Sequence, residues 1–85
     1  MKKRRIAKPV AVFTINNADG SGIAKVLISV LANNGISAIC DSLIVFTVYV
    51  DGEAKDAAIN AVLQSQKLSN CGVYYLDNKG KWLAF

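Results

Sequence analysis

Hydrophobic and polar positions along the chain follow two different periods, which predicts helices set among strands. In one segment the apolar residues recur every three or four positions, a spacing that gathers them on one face of a helix and that fits no strand. This first helix is expected to end within residues 33–35, because Gly35 suits the left-handed conformation that follows many helices. The apolar stripe consists of Ile23, Val26, Leu27, Val30 and Leu31.

Runs of β-branched and aromatic residues predict the strands. The first run is apolar on both faces, as expected for a strand in the centre of a sheet. A weaker, Ala-rich helix is predicted over residues 53–66, where the acidic Glu53 and Asp56 near its start suit the helix dipole. The predicted strands cover residues 10–15, 36–40, 43–50 and 73–76, and a fifth over 82–85 pairs with the fourth as a hairpin.

The order of the elements is β-α-β-β-α-β, which predicts an α+β fold with two right-handed crossovers. This is the ferredoxin-like two-layer sandwich, in which both helices cover one face of an antiparallel sheet of order 4-1-3-2. The fifth strand is expected beside the fourth. We expect a single domain over residues 9–85, preceded by a basic, flexible tail over residues 1–8.

The sheet face opposite the helices is expected to carry apolar side chains, which predicts self-association. Apolar residues on an uncovered face call for a second layer, and 53% of the 85 residues are apolar, a high fraction for a small domain. We therefore expect a homodimer or a higher homo-oligomer, formed through this face or edge to edge. The predicted interface residues are Val12, Leu43, Val45, Thr47 and Tyr49.

The positive charge of the chain is concentrated at its N-terminus. The net charge is +4, but five of the ten basic residues lie among the first eight positions, and the rest of the chain has a net charge of −1. A basic stripe across the fold, typical of nucleic-acid binders, is therefore not expected. The basic run is either a solvated tail or an arm that contacts phosphates. It consists of Lys2, Lys3, Arg4, Arg5 and Lys8.

The residue types give little support to catalysis or to metal and cofactor binding. The chain has no His, and Cys40 and Cys71 do not form a CxxC pair, which disfavours a Cys/His metal site and a His-activated nucleophile. The carboxylates are scattered over turns without a close pair. We expect a non-enzymatic domain without cofactor or metal.

A cytoplasmic location is expected, because the pattern contains no membrane span and no secretory signal and the two cysteines are consistent with free thiols.

The segment that begins at Asp19, with the sequence D-G-S-G-I-A, resembles the first loop and helix of the ACT domain, as does G-I-S-A starting thirteen residues after Gly22. That family follows roughly D-x-P-G-h-h-A…h-G-h-N-h, where h is apolar. Residues 42–51 and the following Ala-rich helix are similar to the third strand and second helix of aspartokinase ACT domains. The resemblance covers about residues 9–77 and implies a regulatory domain with a ferredoxin-like fold.

ACT domains bind amino acids or similar small ligands where the first loop of one copy meets the second strand of another, so the resemblance implies such a sensor at a homodimer interface. By residue chemistry alone, free N–H groups at a helix start and two glycines suit a carboxylate or phosphate. The same residue types also make a tight strand-to-helix turn in which Ser21 or Asp19 caps the helix. The implied ligand residues are Asn17, Asp19, Gly20, Ser21, Gly22 and Ile23 in the loop, with Ile36 and Ser37 across the interface.

Two other functions remain open at the level of sequence. A protein-interaction or inhibitory accessory module, such as a phage-encoded factor, fits the short chain and its lack of chemistry. An RNA-binding or single-stranded-DNA-binding module would stack bases on sheet aromatics beside the basic arm. Against it, residues 43–50 lack the basic, aromatic-rich signature of an RNA-recognition strand. The candidate rings are Tyr49, Tyr74, Tyr75 and Trp82.

Overall fold

The computed structural model describes residues 8–41 and 46–85, so predictions that fall on residues 1–7 and 42–45 lie outside the described residues. The two long helices pack against each other and against the central strands, on one side of the sheet. The elements are β1 (Pro9–Ile15), α1 (Gly20–Asn33), β2 (Ala38–Asp41), β3 (Phe46–Asp51), a 3-10 turn (Gly52–Ala54), α2 (Lys55–Ser65), β4 (Val73–Leu76) and β5 (Trp82–Ala84).

The sheet has five strands in the order β2-β3-β1-β4-β5, and each neighbouring pair is antiparallel. The predicted α+β, ferredoxin-like sandwich is confirmed. The observed order contains the predicted order 4-1-3-2, and the fifth strand lies beside the fourth. In the part of the chain that the structure describes, no helix is long and apolar enough to cross a membrane.

The core fills the space between the helices and one face of the sheet. Helix α1 contributes Leu27 and Leu31, which are both fully buried, whereas Val26 of the predicted stripe is 41% exposed and lies at its flank. Each fully buried Val, Leu or Phe side chain contributes about 1.5–3 kcal/mol to stability relative to exposure. The largest fully buried side chains are Phe13, Leu27, Leu31, Leu68, Val12, Val48, Val50, Val62 and Val73.

Strand β1 contains a bulge at Val12. Ala11 pairs with Tyr49 and Phe13 pairs with Val48, so Val12 is an extra residue on β1 without a partner of its own. A bulge interrupts the alternation of a strand, and here Val12 and Phe13 are both fully buried. The prediction that Val12 lies at an interface on the open face is therefore wrong, because it assumed an uninterrupted alternation.

The predicted interface residues of β3 lie on the open face of the sheet. Thr47 and Tyr49 flank Val48, which is fully buried against the helices, so alternation directs them to the opposite side. Both are partly buried. Leu43 and Val45 lie outside the described residues.

The C-terminal hairpin closes one end of the core with aromatic rings. Phe85 stacks on Tyr75 with ring centroids 5.0 Å apart, and its ring lies 6.1 Å from that of Phe13 in a tilted arrangement. The backbone N–H of Phe85 donates to the C=O of Val73 at 3.1 Å. The hairpin is thereby fastened to the core by both its backbone and its last ring.

Candidate functional site

Asn17 holds the loop between β1 and α1. Its side-chain Oδ1 accepts a hydrogen bond from the backbone N–H of Asp19 at 2.8 Å, and its Nδ2 donates to the C=O of Cys71 at 3.0 Å. Beside it, the N–H of Asn16 donates to the C=O of Gly72 at 2.7 Å. Because both groups of its amide are used in this way, Asn17 joins the first loop to the loop that precedes β4.

Gly72 is the residue that allows these two loops to approach. Its φ is +76°, a left-handed conformation that favours glycine, and a Cβ at this position would collide with the backbone carbonyl of Asn16. Sequence reasoning missed this contact. The available signal was the glycine just before β4, but nothing in the pattern indicates which distant loop approaches it.

Helix α1 begins at Gly20, and Asp19 is its N-cap residue. The Asp19 side chain makes no capping hydrogen bond, and Ser21 lies inside the helix as its second residue, so the predicted side-chain cap is wrong. The Asp19 carboxylate lies over Gly22 instead, where an added Cβ would be 2.5 Å from Oδ2. Within the described residues, the first turn of α1 therefore presents its backbone N–H groups next to an exposed carboxylate.

Two of the implied ligand residues in this loop serve the fold. Gly20 is buried, and a Cβ there would collide with the ring of Phe46. Ile23 is partly buried and packs against the core. Among the implied ligand residues of the loop, Asn17, Asp19 and Ser21 are exposed.

The second half of the implied site lies after α1. Gly35 has a φ of +75°, which confirms the predicted left-handed residue at the helix end, and the N–H of Ile36 donates back to the C=O of Leu31 at 2.9 Å. Ile36 belongs to the core, and Ser37 is partly buried. A shallow depression of about 370 Å³ is lined here by Ala32, Gly35, Ile36, Ser37 and Ala38.

Helix α1 separates the two halves of the implied site within one chain. The helix has 14 residues, and at a rise of 1.5 Å per residue it is about 21 Å long. The first loop is at its N-terminus, and the depression is at its C-terminus. At this separation the loop and the depression do not form one small-molecule site within a single chain.

Strand β2 is an edge of the sheet, next to which α1 packs. Because β1 and β2 are each antiparallel to β3, they run parallel to each other, and the Asp41 end of β2 lies at the same end of the sheet as the first loop. A second copy that pairs its β2 antiparallel to this one places its Ser37 near that Asp41 end. Such a pairing brings the depression of one copy towards the loop of the other.

Cys40 lies on β2 and packs against the core on the helix side. Burial of this thiol, and secondarily the negative charge of Asp41, raises the pKa of Cys40 above its ordinary value. The thiol is thereby kept protonated and is a poor nucleophile or metal ligand. Within residues 8–41 and 46–85, no group of three or more His, Cys, Asp or Glu side chains could hold a metal ion.

The structure describes only some of the residues named for nucleic-acid binding. Lys8 is exposed directly before β1, and its C=O accepts a hydrogen bond from the N–H of Gly52 at 3.0 Å. Lys2, Lys3, Arg4 and Arg5 lie outside the described residues. Tyr75 faces the helices and stacks on Phe85, so it offers no surface ring.

Comparison of the chain with protein-family models, with curated proteins and with solved structures finds no match.

Proposed function

We propose that this chain is a small, non-catalytic regulatory domain that senses a carboxylate-bearing ligand, such as an amino acid, between two copies paired edge to edge. The observation that carries the proposal is the position of the two half-sites at opposite ends of α1, beside the edge strand β2. A two-fold pairing of β2 strands joins each loop to the partner's depression and creates two equal sites. The resemblance to ACT domains supports the same arrangement.

The chemistry of the first loop favours a ligand with both an ammonium and a carboxylate group. The N–H groups at the start of α1 suit a carboxylate. The Asp19 carboxylate beside them accepts hydrogen bonds from an ammonium and repels a simple anion. An amino acid therefore fits this loop better than a phosphate does, and the small residues of the depression leave room for its side chain.

We also propose that the domain is cytoplasmic. Cys40 and Cys71 are both free thiols, as is usual in a reducing compartment.

A thermal-shift screen against the common amino acids, with acetate and phosphate as simple anions, tests the ligand. A ligand at a hundred times its Kd stabilises the folded state by about 2.7 kcal/mol, which raises the Tm of a domain of this size by roughly ten degrees or more. Asp19→Asn should abolish the response. Asp56→Asn, which removes an exposed carboxylate on α2, is the matched control and should retain it.

Analytical ultracentrifugation tests the assembly. We expect a dimer that the ligand strengthens and that Ile39→Lys weakens, because Ile39 is 52% exposed on β2 and a charge on an edge strand opposes pairing. A monomer at every concentration, with and without ligand, would overturn the proposal. A dimer that responds to none of the compounds would instead favour the protein-interaction or inhibitory module.

A further inference from the structure

The face of the sheet opposite the helices carries two rows of side chains, because residues that pair directly across antiparallel strands lie on the same face. The bulge at Val12 directs two successive residues of β1 into the core, so Ala11 and Thr14, on either side of it, both lie on this open face. The first row consists of Ile39, Tyr49 and Ala11, followed by Leu76 and Trp82. The second row consists of Asp41, Thr47, Thr14, Tyr74 and Ala84.

The interior of the open face is uncharged. Two carboxylates lie at its ends, those of Asp41 and Asp51, which are the last residues of β2 and β3. Asp51 accepts a hydrogen bond from the N–H of Glu53 at 3.1 Å. In the strands that the structure describes, every other residue of the two rows is uncharged. A strongly charged partner therefore finds no complementary charge here, whereas the cores of protein–protein interfaces are depleted in charged residues and rich in Tyr and Trp.

The relief of the open face is complementary to that of a second copy. Ile39, which is 52% exposed, and Trp82, which is 43% exposed, lie on the outer strands β2 and β5. The central strand β1 presents the smaller Ala11 and Thr14 between them. On β5 itself, the large Trp82 of the first row lies two positions from the small Ala84 of the second row.

A two-fold axis can bring the large side chains of one copy against the small ones of the other. If the axis lies in the plane of contact and perpendicular to the strands, each strand lies over its own counterpart and the two rows are exchanged. Trp82 of one copy then packs towards Ala84 of the second copy, and Tyr49 packs towards its Thr47. Sheets related in this way are aligned, so their inner side chains can interdigitate.

The open face is large enough to support a dimer of modest affinity. Five strands at about 4.8 Å spacing, with about 3.4 Å per residue, give it a projected area of about 400 Å². A pair of copies encloses two such faces, and their accessible area exceeds the projected area because it follows the relief of the rings. The total therefore reaches the roughly 1,000 Å² that a specific interface needs, at the low end of the usual range.

We propose that the open face binds a second copy of this chain, face to face, with the rings of Tyr49, Tyr74 and Trp82 buried between the two sheets. Large aromatic side chains supply much of the energy of such interfaces, and an uncharged interior can be buried without leaving a charge unpaired. This contact is separate from the pairing of β2 edges proposed above. Its axis places β2 over β2, so the two contacts are compatible in a closed assembly of four copies.

The intrinsic fluorescence of the unmodified protein tests this pairing, because Trp82 is the single tryptophan of the chain. Its emission should move to shorter wavelength as the protein concentration rises from about 1 to about 500 μM, a range that suits a small interface. Sedimentation over the same range should show dimerisation with the same midpoint. Pairing through the β2 edges alone leaves the environment of Trp82 unchanged, since about 19 Å separates β5 from β2.

Trp82→Lys should raise the Kd of the face-to-face dimer at least about tenfold, because it places a charge inside an apolar interface. Leu83→Lys is the matched control. Leu83 is the next residue of β5 and is 39% exposed, but it pairs with Tyr75 on the helix side, so the dimer and its emission shift should persist. Ile39 belongs both to the open face and to the β2 edge, and its substitution does not distinguish the two contacts.

Two results would overturn the proposal. One is a Trp82 emission that stays constant up to about 500 μM, which exceeds the Kd expected of an interface of this size. Any dimer seen by sedimentation would then form through the β2 edge or another surface. The other is a dimer that Trp82→Lys and Leu83→Lys weaken equally. Failure of the β2 pairing or of ligand binding, by contrast, leaves the emission shift in place, so the two proposals are tested independently.

Discussion

The ring of Phe46 occupies the space in which a side chain on residue 20 would lie. Gly20 starts α1, Phe46 starts β3, and a Cβ on Gly20 would collide with two ring carbons of Phe46. The absence of a side chain at one position and the large ring at the other therefore determine how closely the start of α1 approaches the sheet. The glycine that sequence reasoning assigned to a ligand is needed for this packing.

Gly20→Ala should destabilise the protein by about 1–3 kcal/mol, the usual cost of overpacking a core. Urea denaturation measures this loss in the free energy of unfolding. Gly52→Ala is the control, because a Cβ there would meet its nearest neighbour at an ordinary 3.6 Å, and it should change stability little. In the double variant Gly20→Ala with Phe46→Leu, part of the loss should be recovered. Strict additivity of the two changes would show that the ring and the glycine are not coupled.

Val12→Ala should cost about 2 kcal/mol, because Val12 is fully buried at the bulge and the removed methyl groups leave a cavity. For a domain of this size, that lowers the Tm by roughly ten degrees. Val26→Ala removes the same groups from a side chain that is 41% exposed, and the Tm should hardly change. A Val12→Ala variant with normal Tm but altered self-association would restore the interface role that the structure contradicts.

Asn17→Ala should loosen the first loop and cost about 1–2 kcal/mol, because it removes the acceptor for the Asp19 N–H and the donor to the Cys71 C=O. Asn17→Asp keeps the acceptor and loses the donor, so its loss should be intermediate. Amide hydrogen exchange at Asp19 should accelerate in Asn17→Ala more than in Asn17→Asp. Equal exchange rates in the two variants would argue against the acceptor role.

In Cys71→Ser, the remaining thiol of Cys40 should react with iodoacetamide more slowly than free cysteine at neutral pH, since burial and Asp41 raise its pKa. Asp41→Asn should accelerate the reaction, because the smaller of the two causes is removed. The pKa of the Cys40 thiol also makes stability depend on pH. Because this pKa is lower in the unfolded protein than in the folded one, the contribution of the protonated thiol to the free energy of unfolding is complete below the unfolded pKa. It is lost as the pH rises towards the folded value. A reaction as fast as that of free cysteine would contradict this assignment.

The period of the apolar residues was sufficient to predict most of the fold. The apolar stripe at spacings of three and four residues located α1, and the strand over Val73–Leu76 has the predicted bounds. The bulge at Val12 could not be predicted, because residues 10–13 are all apolar and such a run has no alternation whose interruption would be visible. The docking of Asn17 onto Cys71 spans 54 residues of sequence, and no local pattern encodes it.

Local sequence indicated where the candidate site lies but not which residues face solvent. Glycine and small polar residues are required both for an anion-binding helix start and for a tight turn packed on a ring. Gly20 and Ile36 serve the packing, and only the three-dimensional contacts distinguish them from Asp19 and Ser37. The approach of Gly72 to Asn16, like that of Asn17 to Cys71, joins residues far apart in the sequence, and no local pattern predicts it.

The position of β5 at one edge of the sheet affects the symmetry of any assembly. Because β5 covers β4, the two edges of the sheet are β2 and β5, which differ in sequence and length. Pairing β2 with β2 uses a two-fold axis and closes at two copies, whereas pairing β2 with β5 repeats in one direction and grows into a filament. Strand β5 has only three residues and follows Lys81, and shortness and a lysine both oppose strand addition. The hairpin thus favours a closed dimer over an open fibre.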